Sequence, residues 1–417
     1  MKKWILAGML CMAVTGAAQS DAWVQKRLLG HSPVVDTVLA HPDQYRVQIL
    51  YTQIDRDRQG RPRFTSYAYR TDLGEYFYPA STVKLPAAVL SLEKLRDLHI
   101  PGLDLYTPML TDSASAGQTA VWVDSTSANG MPSVGHYAKK ILLVSDNDAF
   151  NRLYEWLGQA PLNNRLHALG YTGTRIVHRL ALPRTREQNR HTNPVRFVRD
   201  GQTLYAQPEQ VSTLNLRAPE PIPLGRGEYV GDSLVWNPKD FAGNNAFPIR
   251  EQQALLRQLI FPGSVPQARR LRLEPEDYRF IWQYMSQLPA ETTYPAYDPA
   301  GYPDSYVKFL MYGDSARRIP SHIRIFNKVG IAYGFVTDNA YIVDLDTGVE
   351  FMLTATVHVN ADGIFNDDQY EYDTVGLPFM AALGQIIYQH ECHRPRKHKP
   401  DLSAWRLTYD QAHPEGD

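Results

Sequence analysis

Strand-like segments lie at both ends of this chain and helix-like segments fill its middle, so any sheet it builds must pair the start of the chain with its end. Val47 to Ile54 alternates like a half-buried strand, and Asp55-Arg56-Asp57-Arg58-Gln59-Gly60 turns it into a second strand, Phe64 to Tyr69. Helical periodicity runs from Thr82 to Leu98. It recurs over His136–Val144, Asp148–Leu157, Leu162–Leu169, Glu251–Leu259 and Glu274–Ser286. Strands resume at Ile323–Asn327, Val336–Asp344 and Val349–His358, and a helix from Pro378 to Tyr388 closes the pattern. The order predicts an α/β (α+β) fold in which an antiparallel sheet flanked by helices packs beside an all-helical subdomain, with a cleft between them. The domain spans 35–392. Its α/β part comes from 35–76 and 300–392, and its helical part from 77–299. The Pro- and Gly-rich stretch 199–240 reads as an ordered surface insertion, and 393–417 as an extended C-terminal tail.

At the start of the first long helix, Ser81-Thr82-Val83-Lys84 puts a hydroxyl and an amine three residues apart. Residues so spaced share a helix face, about 5–6 Å apart at Cβ. A desolvated lysine loses its charge near neutral pH and takes the serine proton, turning a poor nucleophile into a useful one. Ser145-Asp146-Asn147 follows an apolar stretch, and Lys328-Val329-Gly330 sits in a β-like segment.

In that order the three elements resemble the S-x-x-K, S-D-N and K-T-G set of class A β-lactamases and penicillin-binding proteins. The chain is similar to these class A β-lactamase-like serine hydrolases from about Val35 to Gln389. The resemblance implies acyl-enzyme formation on an amide or ester, with β-lactam hydrolysis the nearest named activity. Ser81 is then the nucleophile and Lys84 its base. Ser145 relays a proton between Lys84 and Lys328. Asn147 faces Lys84 and the acyl side chain, Lys328 and Gly330 border the substrate, and the N–H groups of Ser81 and Ile331 form the oxyanion hole.

Two departures bear on substrate. Val329 replaces the hydroxyl of the third motif, and no arginine follows on the strand Asn339–Asp344, so a substrate carboxylate loses charge-assisted hydrogen bonds worth roughly 1.5–3 kcal/mol each. The family's water-activating glutamate has one candidate, Glu187 in Arg179-Leu180-Ala181-Leu182-Pro183-Arg184-Thr185-Arg186-Glu187-Gln188-Asn189, offset by about one turn; its alternative is a salt bridge with Arg184 or Arg190. A D,D-peptidase or esterase on a cell-wall-derived substrate, or a catalytically idle ligand-binding protein of the same fold, therefore stays open.

Lys2 and Lys3 precede an apolar run from Trp4 to Ala18, the layout of a secretory signal peptide over 1–18, which predicts a periplasmic or extracellular protein without stable membrane insertion. Cys11 falls in that run after Leu10, a poor setting for lipid attachment, and its removal leaves Cys392 alone. A net charge of −1 over 417 residues gives no footprint for nucleic acid. Asp55, Asp57 and Gly60 lack the later ligands of a calcium loop, and His390, Cys392, His393 and His398 lack the order of a closed zinc site. The expectation is a monomer acting on a small-molecule or peptide substrate with no metal and no cofactor.

Overall fold

The computed structural model describes residues 20–71 and 74–411; the expected signal segment 1–18 lies outside the described residues. Strands β1 (Gln48–Arg56) and β2 (Pro62–Tyr69) form the expected hairpin. Its turn is fixed by Asp57, whose carboxylate accepts from the N–H groups of Gln59 and Arg61 and pairs with the Arg61 and Arg63 guanidiniums. That carboxylate is committed to the hairpin itself.

Three long strands come from the other end of the chain: β3 (Ile323–Ala332), β4 (Phe335–Asp344) and β5 (Val349–His358). The five make one antiparallel sheet in the order β3-β4-β5-β1-β2. The β1–β5 pair, with Ile49 opposite Ala355, joins the two ends of the chain. Every residue of β4 and β5 is buried. Alternating side chains serve opposite faces. Ile342, Phe351 and Leu353 pack in one core with Phe379, Leu383 and Ile387, whereas Tyr341, Val343 and Met352 join the core of the helical part.

Helices among the described residues include, in chain order, α1 (Pro33–Ala40), α2 (Lys84–Leu98), α3 (Val134–Val144), α4 (Asn147–Leu157), α5 (Gln159–Ala168), α6 (Arg186–Arg190), α7 (Ile249–Ile260), α8 (Pro275–Ser286) and α9 (Leu377–His393). Helix α9 covers one face of the sheet with α1, and α7 and α8 lie against the other. Among the described residues no helix is long and apolar enough to cross a membrane.

The helical part is not purely helical, which corrects that detail of the sequence expectation. Met109–Thr111, Val195–Arg199 and Gln202–Gln207 form a three-stranded sheet. Its cause is Trp156 on α4, whose buried ring meets Phe197 at 4.9 Å and Tyr205 at 5.9 Å. Further along the 199–240 stretch, Gly227–Val230 pairs with Ser233–Val235, and Lys239–Asp240 with Pro223–Leu224. Leu224, and Phe241 just beyond the stretch, bury their side chains with Phe77, Tyr78 and Ala80, next to Ser81 in the chain.

Residues 394–411 run along the surface and dock. Trp405 is buried among Trp282, Phe326 and Tyr341, at 4.9, 5.1 and 5.3 Å between ring centroids. Arg324 stacks on the Tyr409 ring at 4.3 Å. Trp405→Ala is therefore expected to cost about 3–5 kcal/mol, as loss of a buried aromatic does. At the exposed Trp236 the same change should stay within about 0.5 kcal/mol. Urea unfolding of the two variants beside the wild type checks the contrast.

Candidate active site

The Ser81 element starts as a 3-10 turn over Ala80–Val83 and becomes α2 at Lys84. In a 3-10 turn, side chains three apart eclipse one another, which stacks Ser81 directly over Lys84. Ser81 is half-buried and faces a cleft of about 560 Å³, whereas Lys84 is fully buried beneath it.

Ser145 ends α3 in the left-handed conformation at φ 62°. Asp146 then caps α4, its carboxylate accepting from the Ala149 N–H at 2.7 Å. The second motif is thus a helix-to-helix corner and a functional corner at once. Lys84 Nζ donates to Ser145 O at 2.5 Å, Asn147 Oδ1 at 2.7 Å and Ser145 Oγ at 3.3 Å. From the opposite side Lys328 Nζ donates to Ser145 Oγ at 2.7 Å and to Val329 O at 2.9 Å. One hydroxyl therefore sits between two buried amines.

Gly330 lies where edge strand β3 meets the nucleophile turn. A Cβ there would come within 2.5 Å of Pro79 O and 3.1 Å of Ser81 N, so only glycine lets the strand approach this closely. Ile331 follows at the cleft mouth, over a third exposed. The structure thus gathers Ser81, Lys84, Ser145, Asn147, Lys328, Gly330 and Ile331 around one cleft.

Glu187 is not among them, and the expectation that it serves this site is corrected. It stands in the first turn of α6, two-thirds exposed, and pairs with His191 at 3.3 Å rather than with Arg184 or Arg190. The loop before α6 is pinned by its ends. Arg179 is buried against Glu155 at 3.0 Å, and its N–H donates to Asn189 Oδ1 at 2.9 Å. Asn151 holds the N–H and C=O of Leu180. These restraints turn Leu180 and Ala181 into the cleft and α6 away from it. Among its lining residues are no Asp, Glu, Lys or Arg; the walls are Tyr78, Tyr306 and Tyr333 with Val144, Phe309, Val329 and other apolar residues. Four residues of this lining, Ala80, Ser145, Ala181 and Tyr333, hold positive φ without being glycine. Such strain collects where function fixes geometry.

Two groups escaped the sequence reading. His178 is half-buried and stacks on Tyr78, nearly parallel at 6.2 Å, so it braces the wall beside Ser81. Its Nδ1 lies 2.7 Å from Arg179 O and its Nε2 accepts from the Asn245 N–H, which is the neutral tautomer. Below the third motif, Lys308 Nζ donates to Met285 O, Ile325 O and Asn327 Oδ1 at 2.6–2.9 Å. Asn327 passes the link to Asp338, which faces Val329 across the β3–β4 pair. No local motif marks these residues.

Burial sets the electrostatics. Desolvation, opposed by Asp146, brings the Lys84 amine from its ordinary 10.5 down to about 7. Burial and the neighbouring Lys84 push Lys328 well below its ordinary value, against the weaker pull of Asp338. Burial and their closeness to one another thus disfavour positive charge on both amines together. Lys308 is brought to about 7 by the same burial, while burial raises the Asp338 carboxyl.

A lysine with a lowered pKa in the fold binds fewer protons than its unfolded counterpart between about 7 and 10.5. Stability should therefore rise with pH over roughly 7.5–9.5, by up to about 1.4 kcal/mol per unit for each such group. Lys84→Met should flatten that slope. Chemical unfolding at a series of pH values measures it.

Residues 35–216 match the sequence model of the Beta-lactamase enzyme family. No curated protein matches the chain in sequence. Among solved structures it is similar to a β-lactamase from Xanthomonas campestris pv. campestris, at 15% identity and a TM-score of 0.47, covering 85% of this chain and 98% of that one. It is similar also to a β-lactamase from Desulfarculus baarsii, at 16% and 0.45 over 90% and 97% of the two chains. An ancestral class A β-lactamase matches at 15% and 0.47 over 85% and 97%. The family match over residues 35–216 takes in Ser81, Lys84, Ser145 and Asn147 and ends before Lys328, so the resemblance holds for that part of the chain.

Proposed function

We propose that this protein is a serine hydrolase that forms an acyl-enzyme on Ser81 from an amide or ester whose acyl part is apolar and uncharged. The observation that carries the reading is the Ser145 hydroxyl held between the Lys84 and Lys328 amines, 3.3 and 2.7 Å away. With Lys84 near neutrality it accepts the Ser81 proton as Oγ bonds to the substrate carbonyl carbon. The proton passes through Ser145 to the leaving nitrogen or oxygen as its bond to that carbon breaks. The Ser81 and Ile331 N–H groups hold the oxyanion. Water then cleaves the ester, regenerating Ser81.

The substrate class follows from the walls. A cleft of this size lined by tyrosines and aliphatic side chains, with no cation or carboxylate in its lining, favours an apolar acyl group over a penicillin carboxylate. Without a lining carboxylate to activate water, the acyl-enzyme should be long-lived. The basic, then apolar N-terminal run supports export as the setting.

Intact-mass analysis after exposure to an alkyl phosphonate and, separately, to a penicillin should give a Ser81-dependent phosphonate adduct and little or slow penicillin adduct. A rapidly formed, rapidly cleared penicillin adduct would restore β-lactam turnover, and no adduct with either reagent would favour the idle binding protein. The phosphonate rate should climb about tenfold per pH unit below 7 and level off above it, as Lys84 loses its proton.

Ala181 is the loop residue at the cleft. Ala181→Glu, which puts a carboxylate there, should shorten the lifetime of an acyl adduct from a p-nitrophenyl ester by about tenfold or more. Glu187→Gln should leave that lifetime unchanged. Time-resolved mass spectrometry of the adduct reads both.

A further inference from the structure

The loop that turns Leu180 and Ala181 into the cleft sends Leu182, Arg184, Arg186, Asn189 and Arg190 to a second cavity of about 270 Å³, which shares no lining residue with the first. Five arginines border it, Arg179, Arg184, Arg186, Arg190 and Arg217, and no carboxylate does; the Arg184 guanidinium itself lies over Gly117, beside a neighbouring cavity that Glu187 also borders. Two are neutralised from outside the cavity, Arg179 by Glu155 and Arg217 by Asp240. Among the described residues the other three meet no carboxylate. Arg186 donates to Asn215 Oδ1 at 2.7 Å and Arg190 to Leu214 O at 3.0 Å, contacts that aim the side chains without cancelling their charge.

The uncompensated cations of Arg186 and Arg190 beside one small space repel one another, and an anion in that space would reverse the sign of the interaction. Nothing in the composition forces the concentration, because the chain as a whole is nearly neutral. Guanidinium forks match the paired oxygens of phosphate and carboxylate, and bidentate contacts of this kind are the stronger hydrogen bonds. Leu182, Leu214 and Leu216 supply an apolar wall. We propose that this pocket, separate in its lining from the Ser81 cleft, binds a small organic anion carrying two or more negative charges on phosphate or carboxylate groups.

The test is calorimetric titration with pyrophosphate and with citrate at constant ionic strength. Wild type, Arg186→Gln with Arg190→Gln, Arg190→Lys, and a control, Arg27→Gln with Arg317→Gln, would be compared. The control removes charge from a separate basic groove that also contains Lys26 and His31. At least one probe should bind saturably, weaken by about tenfold or more in the double glutamine variant, weaken less in Arg190→Lys, and be unchanged in the control. Stronger pyrophosphate binding assigns a phosphate ligand, and stronger citrate binding a carboxylate. Thermal midpoints confirm that the variants are folded, and Arg190→Lys keeps the test informative if the double variant is not. Absence of saturable binding by both probes, or equal weakening in the control, overturns the proposal.

Discussion

Burying two lysine amines where the helical part meets the sheet is the constraint on which the rest of the site depends. A buried ammonium costs several kcal/mol unless it is given acceptors or sheds its proton, and here it does some of each. The acceptors for Lys84 come from the corner between α3 and α4. Those for Lys328 come from that corner and from its own strand. The Ser145 hydroxyl is common to both, so the corner, the nucleophile turn and the edge strand fix one another's positions. That mutual dependence accounts for the left-handed backbone at Ser145 and Ala80, where an ordinary residue pays for an unfavourable φ with the hydrogen bonds it makes available.

How much of this could be read in the sequence depended on whether the signal was local. The hairpin of β1 and β2, the helix after Ser81 and the three late strands have their own periodicity, and they formed within a few residues of expectation. Strand β3 runs on to Ala332 because its pairing with β4 continues as far as Phe335, beyond the apolar run Ile323–Asn327. The motif residues carried a signal of type and spacing, and a 3-10 turn plus two helix ends brought them together. By contrast, Val195–Gln207 looked irregular because its strands are organised by Trp156, a residue distant in sequence. Trp405 sat in a polar stretch that gave no sign of docking, and Lys308 and Asp338 meet only through the pairing of β3 with β4.

The error over Glu187 has the same origin. Sequence offered one carboxylate on the right loop, but which residue of a loop enters a cleft is decided by its anchors. Here the anchors are Arg179 on Glu155, and Asn151 and Asn189 on the loop backbone. They give the cleft Leu180 and Ala181. They also start α6 with Thr185 as its cap, which places Glu187 on the outer surface beside His191.

The same anchors divide the loop's surroundings into two unlike environments. The Ser81 side is apolar and tyrosine-walled, with its amines sunk below the floor and partly discharged. The neighbouring cavity is bordered by five arginines, permanently charged because arginine does not lose its proton in proteins. Recognition of an anionic substrate at Ser81 would need that distribution reversed, with a standing cation on the cleft wall where Val329 and Ile331 now stand. Charge is thus present beside the site yet withheld from it. What the cleft offers a substrate is shape, apolar surface and a proton pathway, which suits acyl transfer from an uncharged group better than capture of a carboxylate.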